Sequence, residues 1–356
     1  MKKSLAFNIP FSNFSGTHFI NCFTSAYMFV EKMDLSGLEN QPCKKRPDGV
    51  CVGCGSGCGE TPASLQNKYF FWFDTMCGHS SLRWRFDGAP TGMQLWISGA
   101  DPYECGTDET IDFLFGFAGY EFQKSTAPET FKAAIVASID AGKPVIAKVR
   151  TGEHRFRVIT GHDGDALLQP DYAHAQNKPE APVLGELKTL YLFGEKTTPR
   201  YTFKHGLERI VKVMEYNLAE KLWDGYFEKI GWYGWNSGDG MNKADLAEKK
   251  KRMNRVAETM WHTFNSHNFA EVFRARHFEE LKNPAFDDLC RKIGGPWHGY
   301  THDLCAGLIG FNQQLDWTND WFATGFAEII ERALKQIEQN DAAVLGAVKQ
   351  MLATPN

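Results

Sequence analysis

The sequence has little net charge and no long apolar run. Its formal net charge is −4 over 356 residues, so the overall field attracts neither nucleic acids nor anionic membrane surfaces. No segment approaches the roughly 20 apolar residues of a membrane-spanning helix. Residues 1–10 contain two lysines but lack the apolar core of a secretory signal peptide. We therefore expect a cytoplasmic protein with no membrane segment and no nucleic-acid partner.

Cysteines are unevenly distributed along the chain. There are nine, and an odd number without an export signal favours reduced thiols over a disulfide framework. Four of them, Cys43, Cys51, Cys54 and Cys58, crowd into one glycine-rich segment, and such a group is able to hold zinc or an iron–sulfur cluster. The spacing fits no ferredoxin or zinc-ribbon pattern. The preferred interpretation is a glycine-rich loop with incidental thiols, and a metal site is the alternative.

The chain is long enough for two domains, and its pattern changes near residue 198. Before this point, short apolar strands alternate with helices predicted over 107–121 and 128–141, the second ending at Gly142. The aromatic run 69–73 predicts a buried strand or a core wall. The polar stretch from Gly194 to Pro199 predicts a domain boundary.

Beyond this boundary, apolar residues recur at helical period between charged faces. This pattern predicts helices over about 203–230, 243–282, 284–292, 302–314 and 319–352. No internal repeat is present in the sequence. We therefore predict an N-terminal domain over 1–198 and an all-helical C-terminal domain over 199–356.

Cys22 lies where a polar loop gives way to an amphipathic segment. The apolar residues Phe23, Ala26, Tyr27 and Val30 follow it at helical spacing, and Asn21 is an acceptable N-cap. A helix start presents unpaired N–H groups and partial positive charge, which favour the nucleophilic thiolate. A buried core cysteine would produce the same pattern, so the interpretation as a nucleophile depends on finding a base.

A base and an orienting acid occur later in the chain. The segment 143–150 predicts a short buried strand, and the segment 154–161 alternates as a half-covered strand does. A hairpin around Asp163 and Gly164 leads on to the segment 166–172. In the predicted register His154 is opposite Ala173, so His154 and Asp171 are diagonal neighbours on one face. A cysteine nucleophile requires such a pair. The alternatives are a solvent-facing histidine and a turn-opening aspartate after Pro170.

These segments together resemble a known family. The order of a cysteine at a helix start, "GKPVIAKV", "HRFRVITGHDGDALLQPDY" and "LKTLYLF" is similar to papain-like cysteine peptidases that process bacteriocin leaders. It is most similar to the butirosin-biosynthesis protein H family of papain-like acyltransferases and relatives of unknown activity. The resemblance covers roughly residues 14–200. It implies an α+β fold with a papain-like cysteine proteinase core, and it assigns Cys22 as nucleophile, His154 as base and Asp171 as orienting acid.

Two features depart from the family pattern. The spacing from His154 to Gly161 is one residue longer than in the peptidases, which requires a bulge. The upstream glutamine that completes the oxyanion hole is absent. We expect Thr17, His18 or Asn21 to substitute for it, with the Cys22 N–H as the second donor.

The expected chemistry is thiol-dependent acyl transfer, or amide or peptide hydrolysis, through an acyl-enzyme on Cys22. The expected partners are a small-molecule or peptide acyl substrate, with an acyl-carrier protein as a candidate donor and a homodimer contact as a further expectation. No cofactor is expected. The alternative function is metal binding or redox chemistry at Cys43–Cys58 on a catalytically inactive papain-like core.

Overall fold

The computed structural model of the protein describes residues 2–11, 18–38, 61–99, 104–150, 155–170, 180–229, 243–263, 266–296 and 320–355. The chain forms two units. The first unit consists of Met1–Cys77 and Trp96–Thr202, and the second consists of Gly78–Leu95 and Phe203–Asn356. Helices and antiparallel sheets both occur, which confirms the predicted α+β class.

The first unit contains two antiparallel sheets and the helices that cover them. Its described strands are β1 (Lys2–Ser4), β2 (Tyr120–Ser125), β3 (Val145–Val149), β4 (Phe156–Ile159), β5 (Gly161–Asp163), β6 (Ala166–Leu168) and β7 (Leu187–Lys196). Its described helices are α1 (His18–Val30), α2 (Pro62–Met76), α4 (Asp108–Ala118) and α5 (Pro128–Asp140), and α3 (Gly92–Ile97) runs across the boundary between the units. The larger sheet has the order β2-β7-β3-β4, and the smaller sheet has the order β1-β5-β6.

The larger sheet is covered by helices on both faces. Successive side chains of a strand point to opposite faces, so the apolar residues of β3 and β7 need cover on each side. On one face, Val145 and Ala147 of β3 pack with Phe131 of α5 in a buried apolar cluster. Tyr191 of β7 packs edge-on against Phe19 of α1, with ring centroids 5.5 Å apart. Burial on both faces explains the continuous apolar runs 145–147 in β3 and 190–193 in β7.

Helix α1 is held by aromatic packing. The Phe23 ring lies edge-on to Phe73 of α2 and Phe115 of α4, with centroid distances of 5.1 and 5.0 Å. Phe73 belongs to the aromatic run 69–73, which forms part of α2 and contributes to the core wall rather than to a strand. The run becomes helical because Thr61 and Ser64 form a capping box that starts α2 immediately upstream.

The predicted strand 154–161 divides at Thr160. Its first part, β4, pairs with β3 through partners such as Ala147 and Arg157, whereas β5 pairs with β1 and β6 in the other sheet. Gly161 faces Leu168 across the β5–β6 hairpin, two residues away from the partner in the predicted register. The predicted β5–β6 hairpin therefore exists, but β4 pairs with β3 and does not extend this hairpin. The predicted strand register that placed His154 beside Asp171 is therefore wrong.

The described elements of the second unit are helical. They are α6 (Phe203–Glu220), α7 (Tyr226–Lys229), α8 (Lys243–Thr263), α9 (Ser266–Ala275), α10 (Asp287–Pro296) and α11 (Asp320–Ala353), with short 3₁₀ turns. Within the predicted helix 243–282 the structure describes α8, α9 and the 3₁₀ turn Glu279–Leu281, and α11 closely matches the predicted 319–352. The predicted helix 302–314 lies outside the described residues. None of the described helices combines the length and the apolar character needed to cross a bilayer.

Gly78–Leu95 belongs to the second unit, although the sequence pattern groups it with the N-terminal domain. Its polar groups explain this assignment. The Arg83 guanidinium makes two hydrogen bonds to Asp341 of α11, and the Trp223 indole N–H donates to the Trp84 carbonyl at 2.8 Å. The Asn217 amide likewise donates to a backbone carbonyl of this segment. The main boundary falls at Thr202, four residues beyond the predicted one.

Candidate functional site

Cys22 lies inside α1 rather than at its start. The helix begins at His18, so Cys22 is its fifth residue and Asn21 its fourth, and the prediction that Asn21 is the N-cap is wrong. The helix extends further because Phe19, one turn before Phe23, packs on the sheet. A helix leaves its first four N–H groups unpaired, and the Cys22 N–H is not among them. Its predicted role as an oxyanion donor is therefore not supported.

The position of Cys22 also reverses the expected shift of its thiol pKa. The residue is only 4% exposed, and burial raises the pKa of the thiol to about 12, while the positive charge of Arg157 in β4 partly opposes this rise. Desolvation disfavours the charged form of any buried acid. The expectation of a lowered pKa is therefore wrong for the described structure, and at neutral pH the thiol carries its proton.

The buried thiol makes the stability of the fold depend on pH. The folded state keeps the Cys22 proton up to about pH 12, whereas the unfolded chain releases it near the ordinary pKa of 9.0. The protonated, buried Cys22 thiol therefore makes its full contribution to the free energy of unfolding below about pH 9. This contribution is lost as the pH rises towards 12. Relative to Cys22→Ala, we expect the wild-type free energy of unfolding to fall by up to about 1.4 kcal/mol per pH unit in that range.

Urea unfolding curves of both proteins at about pH 8, 9, 10 and 11 would measure this effect. The difference between the two proteins isolates Cys22 from the other groups that titrate in alkali, including Cys290, whose pKa burial raises to about 11. Parallel pH profiles for wild type and Cys22→Ala would show that the thiol is not buried in the folded protein.

The first turn of α1 lies against the start of β4. The Phe19 and Phe156 rings meet edge-on with centroids 5.2 Å apart, and the Phe19 N–H donates to the Glu104 carbonyl at 3.4 Å. Gly106 completes this contact, because a Cβ there would lie 2.5 Å from the Phe156 ring. Phe156 is the second residue after His154 in the sequence. The structure therefore brings Cys22 and the start of this strand into one region of the first unit.

Glu104 connects β3 and the start of β4 to the first turn of α1. Its two carboxylate oxygens accept hydrogen bonds from Lys148 of β3 and from Arg155, each at 2.6 Å. Burial raises the pKa of Glu104, but the hydrogen bonds and charges of the two cations outweigh burial, so the pKa lies below its ordinary value. The carboxylate is therefore ionised at neutral pH and holds the start of β4 close to α1.

A second polar group adjoins α1 from α2. The Gln66 side-chain Nε2 donates to Asn21 Oδ1 at 2.8 Å and to Ser25 Oγ at 3.3 Å. Gln66 has no exposed surface, and Asn21 is 8% exposed. The sequence analysis missed Gln66. The one available signal was a polar residue in the early turns of α2, just before the aromatic run. This signal does not specify a hydrogen-bond partner.

The other predicted site residues lie outside the described residues. These are His154, Asp171, Thr17 and the four cysteines Cys43, Cys51, Cys54 and Cys58; His18 begins α1, but its side chain is also outside the description. Within the described part of the chain, no group of three histidine, cysteine or acidic residues is placed to hold a metal ion. The described cysteines Cys22, Cys77, Cys105 and Cys290 are buried and are not in disulfide bonds.

The geometry defines an α+β unit in which a helix with a buried cysteine packs on an antiparallel sheet. Comparison with known proteins adds no identification, because no family model, curated protein or solved structure matches the chain. The function must therefore be inferred from the residues themselves.

Proposed function

We propose that the protein is a papain-like enzyme that catalyses thiol-dependent acyl transfer or amide hydrolysis. In this proposal Cys22 is the nucleophile, His154 the general base and Asp171 the acid that orients the imidazole. One observation carries it: α1, which bears Cys22, packs through Phe19 on Phe156, two residues after His154 in the sequence. A nucleophile and a base from distant parts of the sequence must converge in this way.

The proposed reaction has two steps. The Cys22 sulfur attacks the carbonyl carbon of the substrate, and His154 takes the thiol proton as the C–S bond forms. The tetrahedral intermediate then collapses, the bond to the leaving amine or thiolate breaks, and the proton passes from His154 to that group. Water or an amine then attacks the carbonyl carbon of the resulting thioester while His154 takes its proton; the C–S bond breaks, the acyl group leaves on the new oxygen or nitrogen, and the proton returns from His154 to the Cys22 sulfur. Water as acceptor makes the protein a hydrolase, and an amine makes it an acyltransferase.

The buried thiol indicates how the nucleophile is activated. With a pKa raised to about 12 by burial, Cys22 does not exist as a preformed thiolate at neutral pH. Proton removal must therefore accompany attack, which is general base catalysis. The charge of Arg157, which lowers the thiol pKa in part, favours the negative charge that develops as the proton leaves.

The proposed enzyme has an expected substrate class and an expected cellular compartment. We assign it a small-molecule or peptide acyl substrate, with an acyl-carrier thioester as a candidate donor. We assign it to the cytoplasm, because an odd number of cysteines, nine in this chain, favours reduced thiols over a disulfide framework.

Acylation of Cys22 tests the proposal. The full chain is incubated with N-acetylglycyl and octanoyl thioesters of N-acetylcysteamine, so that one donor carries an amide N–H beside the reacting carbonyl and the other does not, and the adduct is located by intact mass and peptide mapping. We expect about one acyl group per chain, on Cys22, with loss of the adduct in Cys22→Ser. The matched control is Cys105→Ser, which alters another buried cysteine of the first unit and should leave the adduct unchanged. Wild-type protein without an adduct on Cys22 would refute the proposal.

A further inference from the structure

Gln66 is a buried amide with half of its hydrogen-bonding capacity unused. Its Nε2 is engaged by Asn21 and Ser25, but its Oε1 has no hydrogen-bond partner in the part of the chain that the structure describes. The neighbouring Asn67 is 2% exposed, and both polar atoms of its side chain are likewise unpartnered there. Folded proteins leave few buried polar atoms unsatisfied. Two adjacent cases therefore call for an explanation.

The unpartnered oxygen belongs to a side chain that contacts the helix of the candidate nucleophile. Asn21 precedes Cys22, and Ser25 follows it by three residues, so Ser25 and Cys22 are neighbours on one side of α1. Gln66 Nε2 lies 2.8 Å from Asn21 Oδ1 and 3.3 Å from Ser25 Oγ. The Gln66 amide therefore packs on the turn of α1 that contains Cys22.

The two hydrogen bonds also fix which way the amide is turned. Because Nε2 donates to two acceptors on α1, the Oε1 atom is left as a pure acceptor in a buried position. A buried acceptor is satisfied by a ligand that brings an N–H group, and it penalises a ligand of the same shape that lacks one.

We propose that Gln66 is a specificity-determining residue that selects substrates with a carboxamide or peptide N–H beside the scissile carbonyl. This inference rests on the proposed function of Cys22 and names the substrate class for that site. It favours amides and peptidyl donors over simple esters and over thioesters of hydrocarbon acids. Asn21 is the positioning residue that holds Gln66 in the required orientation.

Alkylation by two reagents of similar size tests the inference. Iodoacetamide carries N–H donors, whereas methyl iodoacetate has an ester in their place. The rate of Cys22 modification by each is read by peptide mass spectrometry in the native protein and in the chain unfolded in guanidinium, which supplies the intrinsic ratio of the two reagents. We expect the native ratio to exceed the unfolded ratio by about fivefold in favour of iodoacetamide.

The preference should disappear in Gln66→Met, which replaces the amide with an unbranched apolar side chain of similar length. The matched control is Gln123→Met, at an exposed position of β2, where the preference should remain. If Gln66→Met fails to fold, Asn21→Ala, which removes the hydrogen bond that positions Gln66, should lower the preference instead, and an unchanged preference in that variant overturns the role of Gln66. Thermal unfolding of each variant shows whether it has folded.

The outcomes separate this inference from the proposed function. Cys22 that neither reagent modifies in the native protein contradicts the proposed function, and the inference is overturned with it. Modification with a ratio equal to that of the unfolded chain leaves the nucleophile intact but overturns the role of Gln66. A native preference that survives Gln66→Met also overturns it, because another group must then recognise the N–H.

Discussion

Replacing Asp341 with alanine is expected to lower the free energy of unfolding of the second unit by about 3–5 kcal/mol. The Asp341 carboxylate accepts hydrogen bonds from the Arg83 guanidinium at 2.9 and 2.7 Å, and the two side chains are only 3% and 5% exposed. Removing the carboxylate takes two charge-assisted hydrogen bonds from a buried, permanently charged guanidinium. The cost arises from the desolvated positive charge as well as from the lost attraction.

Urea unfolding followed by tryptophan fluorescence would measure this effect, since Trp84 and Trp223 lie in the same unit. The exposed ion pair between Lys349 and Glu215 is the matched control, because its side chains are 49% and 51% exposed and Glu215→Ala should cost less than about 1 kcal/mol. Equal costs for Asp341→Ala and Glu215→Ala would contradict the prediction.

A double replacement sharpens the test. In Arg83→Met combined with Asp341→Leu, both charges are removed and apolar volume takes their place. Such replacements of buried ion pairs are often neutral or stabilising. We therefore expect the double variant to recover most of the stability lost in Asp341→Ala. Its recovery would show that the pair specifies how Gly78–Leu95 joins α11 more than it stabilises the unit.

Replacing His154 with alanine is expected to lower the rate of Cys22 acylation by about 10²–10⁴-fold at neutral pH. Burial raises the pKa of the Cys22 thiol to about 12, so at pH 7.5 only about one thiol in 10⁴ to 10⁵ is ionised without assistance. With a general base, the acylation rate no longer depends on the small fraction of Cys22 that is already thiolate. The variant retains only the unassisted reaction.

The pH profile distinguishes loss of the base from general damage. In His154→Ala the acylation rate should rise about tenfold per pH unit up to pH 10, because it follows the thiolate fraction. The wild-type rate should instead level off once the imidazole is neutral and able to accept the thiol proton. His205→Ala, which removes an exposed histidine of α6, should retain the wild-type rate and profile. A His154→Ala variant with the wild-type profile would exclude His154 as the base.

Several elements of the fold follow from local signals in the sequence. Helix α5 ends as predicted, with Gly142 in the left-handed region at φ 76°, where the absence of a Cβ removes the steric penalty. Strand β3 matches the apolar run after Gly142, and α11 matches the last predicted helix. These segments have strong periodicity or clear end signals, so the residues within each segment determine its structure.

Other features depend on partners that are distant in the sequence. The strand division at Thr160 occurs because β4 and β5 pair with different sheets, and the short run of residues involved is compatible with either pairing. Gly78–Leu95 joins the second unit through Asp341, more than 250 residues beyond Arg83. Neither partner is recognisable from the local pattern.

The sequence by itself determined the α+β class, most helix positions and the choice of Cys22 as the residue to test. Only the tertiary structure decided the chemical state of that residue. The local pattern placed Cys22 at a helix start, where a thiol is acidic, but packing of Phe19 on the sheet extends α1 towards its N-terminus and buries the thiol. The pKa of a side chain depends on its solvation and on nearby charges, and both are set by residues far away in the chain.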